Sequence, residues 1–292
     1  MFELKDPIVT NVLHSLNQHG ESAIFGGYIR DTLLNINPKD IDIATSLSTK
    51  QVISIYPMAN IRETISGYTI VSFTIKGRAF EIVPNSEDLL KKASDADLNI
   101  NSLIYDGNHL IDATDSLKDF EKKIISSVKN NFEELVATSP FIWLKPFRLS
   151  STTGFMIDEE LLETLKKTQS TLNLINRSIK TQEGYKVLNS KYPLLSLEFL
   201  SKIGLICPFE IKFDPESIIL PNSKNNYHLQ LIVFAYATSI HTINDFLTLY
   251  EFPESIKNNF YTLMSLLSEE TSTTNFKLLN QKLLLERLLQ KK

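Results

Sequence analysis

The segment Phe25-Gly26-Gly27-Tyr28-Ile29-Arg30-Asp31, followed by Pro38 and then Asp40-Ile41-Asp42, constrains this chain more than any other stretch. A short apolar run from Ser22 to Phe25 stops at two glycines, and Tyr28 to Asn35 continues with helical spacing until Pro38 bars it. The order is strand, turn, helix, strand. Paired glycines let backbone approach a ligand closely, and the free N–H groups at a helix N-terminus favour phosphate. Gly26 and Gly27 are therefore a candidate phosphate seat, although a plain tight turn would use the same residues. Arg30, on the first turn of the helix, can add a charge-assisted contact to the same phosphates, while Asp31 either orients Arg30 or helps cap the helix. Asp40 and Asp42 stand two apart in a β-rich run, so a strand turns both carboxylates to one face. Two adjacent anions need a cation. Oxygen-only ligands suit Mg²⁺, which binds through one or two carboxylates plus substrate phosphates, and the chemistry implied is metal-assisted phosphoryl transfer.

Around this segment the periodicity is mixed. Ile8, Val12, Leu13 and Leu16 have helical spacing, Ser48 or Thr49 can cap a helix over Gln51 to Tyr56, and Lys76-Gly77 separates two β-rich runs, Tyr68 to Ile75 and Arg78 to Val83. A small mixed sheet with helices is predicted to about residue 125. From about residue 130 the pattern is helical, as in Glu159 to Lys167 and Leu195 to Ile203. Lys212 to Asn226 reads as a loop or boundary, and Phe276 to Leu289 as a packed terminal helix. The predicted fold class is α+β: an N-terminal head over 1–127, a helical neck over 128–210 and a helical C-terminal region over 211–292.

Composition removes competing classes. With 42% hydrophobic and 22% charged residues the chain can bury a core, so disorder is excluded, and no apolar run is long enough for a membrane span. Glu3, Lys5 and Asp6 occupy the start of the chain where a secretory signal would be basic and then apolar, so a cytoplasmic location is expected. The single cysteine, Cys207, excludes an internal disulfide and a zinc ribbon, and the histidines show no HxH or HExxH spacing. A net charge of −4 still allows a local basic groove.

The stretch GGYIRDTLLNINPKDIDIAT resembles the signature of the bacterial-type (class II) tRNA nucleotidyltransferase and poly(A) polymerase family, GGxVRDxLLGxxPKDxDxxT. Ile65 to Ile75 with Phe80-Glu81-Ile82 resembles that family's next two strands, and the resemblance gives Glu81 the task of completing the metal site. The residue pattern alone fits a solvent-facing strand position equally well. Asp97-Leu-Asn-Ile-Asn-Ser-Leu-Ile-Tyr105 and the run from Leu110 to Ile125 are similar to the family's RDFTINAxxY and LIDPxGGxxDLxxxxIR, so the likeness runs from about residue 7 to about 205. It implies a divergent, Mg²⁺-dependent transferase that adds nucleotides from ATP, CTP or both to an RNA 3′-hydroxyl, with tRNA a candidate acceptor. Asp40 and Asp42 would hold the metal, with Glu81 assisting; Gly26, Gly27, Arg30 and Asp31 would bind the nucleotide, together with Lys145 and Arg148 of the neck.

The chain departs from the family at two places. Asp95-Ala96 stands where the family has an arginine pair, and Ser139 and Ile142 replace the carboxylate and first arginine with which the neck motif EDxxRxxRxxRFAxxxGF reads bases. Pro146 also falls inside the expected neck helix, costing about 3 kcal/mol unless the helix kinks or begins there. Two alternatives follow: a catalytically impaired paralogue that binds RNA, or a transferase with a non-RNA acceptor.

Overall fold

Asp6 and Pro7 start the first helix, α1 (Pro7–Asn17): the Asp6 carboxylate accepts from the Ile8 N–H at 2.9 Å, and Pro7 occupies the first turn, where no N–H is needed. The stripe Val9, Val12, Leu13 and Leu16 is buried. The computed structural model describes residues 4–38, 40–64, 69–86, 88–128, 132–212 and 227–268, and they belong to two units, Met1–Phe132 and Glu133–Lys292. In the first, β1 (Ser22–Phe25), α2 (Gly27–Leu33), β2 (Asp40–Thr45), α3 (Thr49–Ile55), β3 (Asn60–Glu63), β4 (Thr69–Ile75) and β5 (Arg78–Val83) follow in sequence. Then come α4 (Leu89–Ser94), a 3₁₀ turn at Asn99–Asn101, β6 (Ile104–Tyr105), β7 (Leu110–Ile111) and α5 (Ser116–Lys122).

The sheet has seven strands in the order β3-β4-β5-β2-β1-β6-β7. It is mixed, because β2 and β5 run parallel while the other pairs are antiparallel. The fold class is α+β, as the pattern predicts. The β4–β5 turn has Lys76 at φ 48° and Gly77 at φ 80°, the two positive angles that a tight two-residue hairpin needs. Ser48 and Gln51 form a reciprocal capping box that starts α3.

Strand alternation gives the sheet two different faces. Ile24, Ile41, Ile43, Val71, Phe73, Phe80 and Ile82 point one way and pack with buried residues of α1, α2 and α3, each contributing about 1.5–3 kcal/mol by leaving water. The register pairs Phe25 with Asp42, Asp42 with Glu81 and Glu81 with Ser72, so these residues share the other face, along with Asp40. At the β1 and β6 end that face is covered by α4, where Ala93 packs with Ala23 and Ile104.

The second unit is built from α6 (Phe132–Thr138), a 3₁₀ segment at Pro140–Leu144, α7 (Lys145–Thr153), α8 (Glu159–Lys167), α9 (Arg177–Leu188), α10 (Pro193–Lys202), α11 (Tyr227–Ala237), α12 (Ile240–Leu249) and α13 (Glu254–Ser268). Pro146 costs this unit little: the 3₁₀ segment ends at Leu144 and α7 begins at Lys145, so the proline falls in a first turn that needs no N–H from it. Residues 213–226 of the expected loop over Lys212 to Asn226, and the expected terminal helix over Phe276 to Leu289, lie outside the described residues. Among the described residues no helix is long and apolar enough to cross a membrane.

Candidate active site

Gly26 adopts φ 76° and ψ −139°, a conformation closed to residues with a side chain, and it lets β1 turn sharply into α2. A Cβ there would lie 3.7 Å from Asp42 Oδ2, so the turn and the carboxylate are immediate neighbours. Asp40 is exposed and Asp42 half-buried on the same face of β2. Glu81 stands beside Asp42 across the parallel β2–β5 pair. Its Oε1 is 2.6 Å from Arg62 Nη2, and the two side chains are 35% and 52% exposed.

Arg30 is buried. Its Nε and Nη2 lie 2.8 and 2.7 Å from Asp31 Oδ1, and Nη1 donates to Asn101 Oδ1 at 2.7 Å, fastening α2 to the Asn99–Asn101 turn. Of the two roles open to Asp31, orienting Arg30 is the one these contacts display. The position a Cβ would take at Gly27 is 3.2 Å from Arg30 Nη2, so this glycine leaves room for the guanidinium. Gly27→Val is expected to displace Arg30 from its buried, charge-assisted partners, lowering stability by about 2 kcal/mol and weakening triphosphate binding. A thermal melt and calorimetry with CTP measure both; an unchanged affinity for CTP would remove Gly27 from the phosphate seat.

Two cations beside these acids escaped the sequence reading. Lys92, on α4, has its Nζ 5.8 Å from the centre of the Phe25 ring, and Phe25 is the register partner of Asp42. Burial pushes its ammonium pKa down, and the nearby Asp95 acts in the opposite direction. Arg62 lies on β3, an edge strand whose four residues are all exposed. Nothing in Asn60-Ile61-Arg62-Glu63 alternates in polarity, so no strand was legible there.

Among the described residues no group of three or more His, Cys, Asp or Glu is gathered closely enough to hold a metal ion. Asp40 and Asp42 supply two oxygen ligands on one open face, a donor set that fits Mg²⁺ when substrate phosphates and water complete its shell.

In the second unit, Lys145 Nζ sits 5.3 Å from the Phe141 ring centre. Arg148 Nε is 2.7 Å from Glu183 Oε2, an ion pair outside hydrogen-bond geometry. Full burial, and next the Glu183 charge, raise the pKa of the nearby Tyr250 hydroxyl and keep it protonated. Ser139 precedes the 3₁₀ segment and Ile142 is buried within it.

Residues 22–85, which hold the Gly26 turn, the paired aspartates and strands β1 to β5, match the family described as Poly A polymerase head domain. The chain is 26% identical over 253 residues to a CCA-adding enzyme of Bacillus licheniformis, a match covering 80% of this chain and 63% of the relative. It is 28% identical over 173 residues to a CC-adding tRNA nucleotidyltransferase of Halalkalibacterium halodurans, covering 56% and 43% of the two chains. The chain thus spans less than two thirds of the length of these curated relatives. Its fold is similar to that of the Bacillus stearothermophilus CCA-adding enzyme solved in complex with CTP, with a TM-score of 0.75 at 20% identity, over 98% of this chain and 78% of that one.

Proposed function

We propose that this protein is a Mg²⁺-dependent nucleotidyltransferase that adds nucleotides from NTP to an RNA 3′-hydroxyl, with tRNA lacking its 3′ end as the acceptor. The observation that carries this reading is the pair Asp40 and Asp42 on one sheet face beside the Gly26 turn. The head-domain match and relatives named for adding C and A to tRNA support the acceptor, and the structural neighbour solved with CTP supports the donor.

Asp40 and Asp42 would hold the cation, which when bound supplies charge stabilisation to the triphosphate and eases deprotonation of the attacking hydroxyl. Gly26 and Gly27 expose backbone N–H groups to the phosphates, and Arg30, with Asp31 as its orienter, fixes the start of α2 beneath them. Glu81 adds a third negative charge to the face. Of the two neck residues that the resemblance assigns to the nucleotide, Lys145 keeps its positive charge beside the Phe141 ring, and Arg148 pairs with Glu183 and holds α7 against α9.

Incubation with Mg²⁺ and each labelled NTP, with and without tRNA lacking its 3′ end and with total RNA, tests the proposal. Incorporation into RNA is the expected result. RNA binding without incorporation selects the impaired paralogue, and label on a non-RNA product selects the other acceptor class.

A further inference from the structure

Asp40, Asp42 and Glu81 put three acids on one open face. Arg62 meets the third of these, Glu81. Arg62 faces Ile70 across β3–β4 and Glu81 faces Ser72 across β4–β5, so the guanidinium spans a full strand, about 10 Å, to reach its partner. The other described arginines of this unit are committed elsewhere. Arg30 is 9% exposed and held by Asp31 and Asn101, while Arg78 points to the opposite face of β5 and pairs with Asp6 at 2.8 Å. With its side chain 52% exposed, the Arg62–Glu81 pair is held loosely, since solvent screens it.

We propose that Arg62 is the resident counter-ion of Glu81, displaced when a divalent cation binds to this face and thereby released to the phosphates of the nucleotide. This rests on reading Asp40, Asp42 and Glu81 as the acids of a cation-dependent transferase. An arginine cannot shed its proton, so a dication arriving beside Glu81 relieves the repulsion only by moving the guanidinium away. Once displaced, its planar fork of donors matches two phosphate oxygens at once. Cation and nucleotide binding are then linked through one side chain.

The linkage has an unusual signature, because removing Arg62 acts on the two ligands in opposite directions. Mn²⁺ binding to the full chain is followed by electron paramagnetic resonance, and CTP binding at saturating Mn²⁺ by calorimetry. For Arg62→Gln the Mn²⁺ dissociation constant is expected to fall about fivefold and that of CTP to rise about fivefold, the scale of one partly screened charge. Arg62→Lys keeps the charge but not the fork, so Mn²⁺ binding should return towards wild type while CTP binding stays weak. Neither variant removes buried contacts, and equal melting temperatures check the fold. Unchanged or weaker Mn²⁺ binding in Arg62→Gln, or unchanged CTP binding, overturns the inference. Asp42→Asn separates the two levels: if it binds Mn²⁺ like wild type, the cation lies elsewhere and the proposed transferase site fails together with the role of Arg62. If Asp42→Asn loses Mn²⁺ while Arg62→Gln changes nothing, only the role of Arg62 fails.

Discussion

Asp42→Ala is expected to abolish nucleotide transfer, by a factor on the order of 10³ or more, while leaving the head folded. The loss follows from charge stabilisation of the triphosphate, which is worth several kcal/mol, each 1.4 of which is about tenfold in rate. Asp42 is the acid nearest the Gly26 turn, so no other carboxylate on the face can take its position without moving the backbone. Ile41 and Ile43, on either side of Asp42, are fully buried on the opposite face and keep their packing, so the head should stay folded. Incorporation of labelled CTP into tRNA lacking its 3′ end, together with a thermal melt, checks both parts. Wild-type transfer by well-folded Asp42→Ala would remove the paired aspartates from the mechanism.

The parts of this site that were legible in sequence are those that local chemistry dictates. Two glycines ending an apolar run, a proline closing the next helix and two aspartates at strand spacing set β1, α2 and β2 within a residue or two. Asp6-Pro7, Ser48 with Gln51, and Lys76-Gly77 likewise act through neighbours a few residues away. What escaped depends on distant partners. Arg30 is held by Asn101, 71 positions further on, a partner that no local pattern announces. Arg62 gains its meaning from Glu81 across an intervening strand. Pro146 is costly only inside an uninterrupted helix; with the 3₁₀ segment ending at Leu144, α7 begins at Lys145, which is the condition under which the sequence tolerates the proline.

Base selection is expected to be loose, because neither Ser139 nor Ile142 can impose a fixed hydrogen-bond pattern on a base. A serine hydroxyl rotates between donor and acceptor roles, so it accommodates the exocyclic amine of either cytosine or adenine. Ile142 has no polar side-chain atom, and at 9% exposure its side chain belongs to the core of the helical unit. Its backbone N–H is also occupied, donating to the Ser139 carbonyl at 3.0 Å, so the segment offers no free amide there in place of the missing arginine. Sites that reject a wrong partner by leaving buried polar groups unpaired reach factors of about 10⁴ to 10⁵, whereas shape and apolar contact give roughly 10 to 200. The ratio of kcat/KM for CTP and ATP, measured singly and in competition on tRNA ending before its 3′ CCA, should therefore fall in the lower range. Added tails should be of mixed or purine-biased sequence, since stacking favours the larger base without reading its edge. Clean addition of C, C and then A, at a discrimination near 10⁴, would sink this prediction, because hydrogen-bonding groups other than Ser139 and Ile142 would then have to meet the Watson–Crick edge.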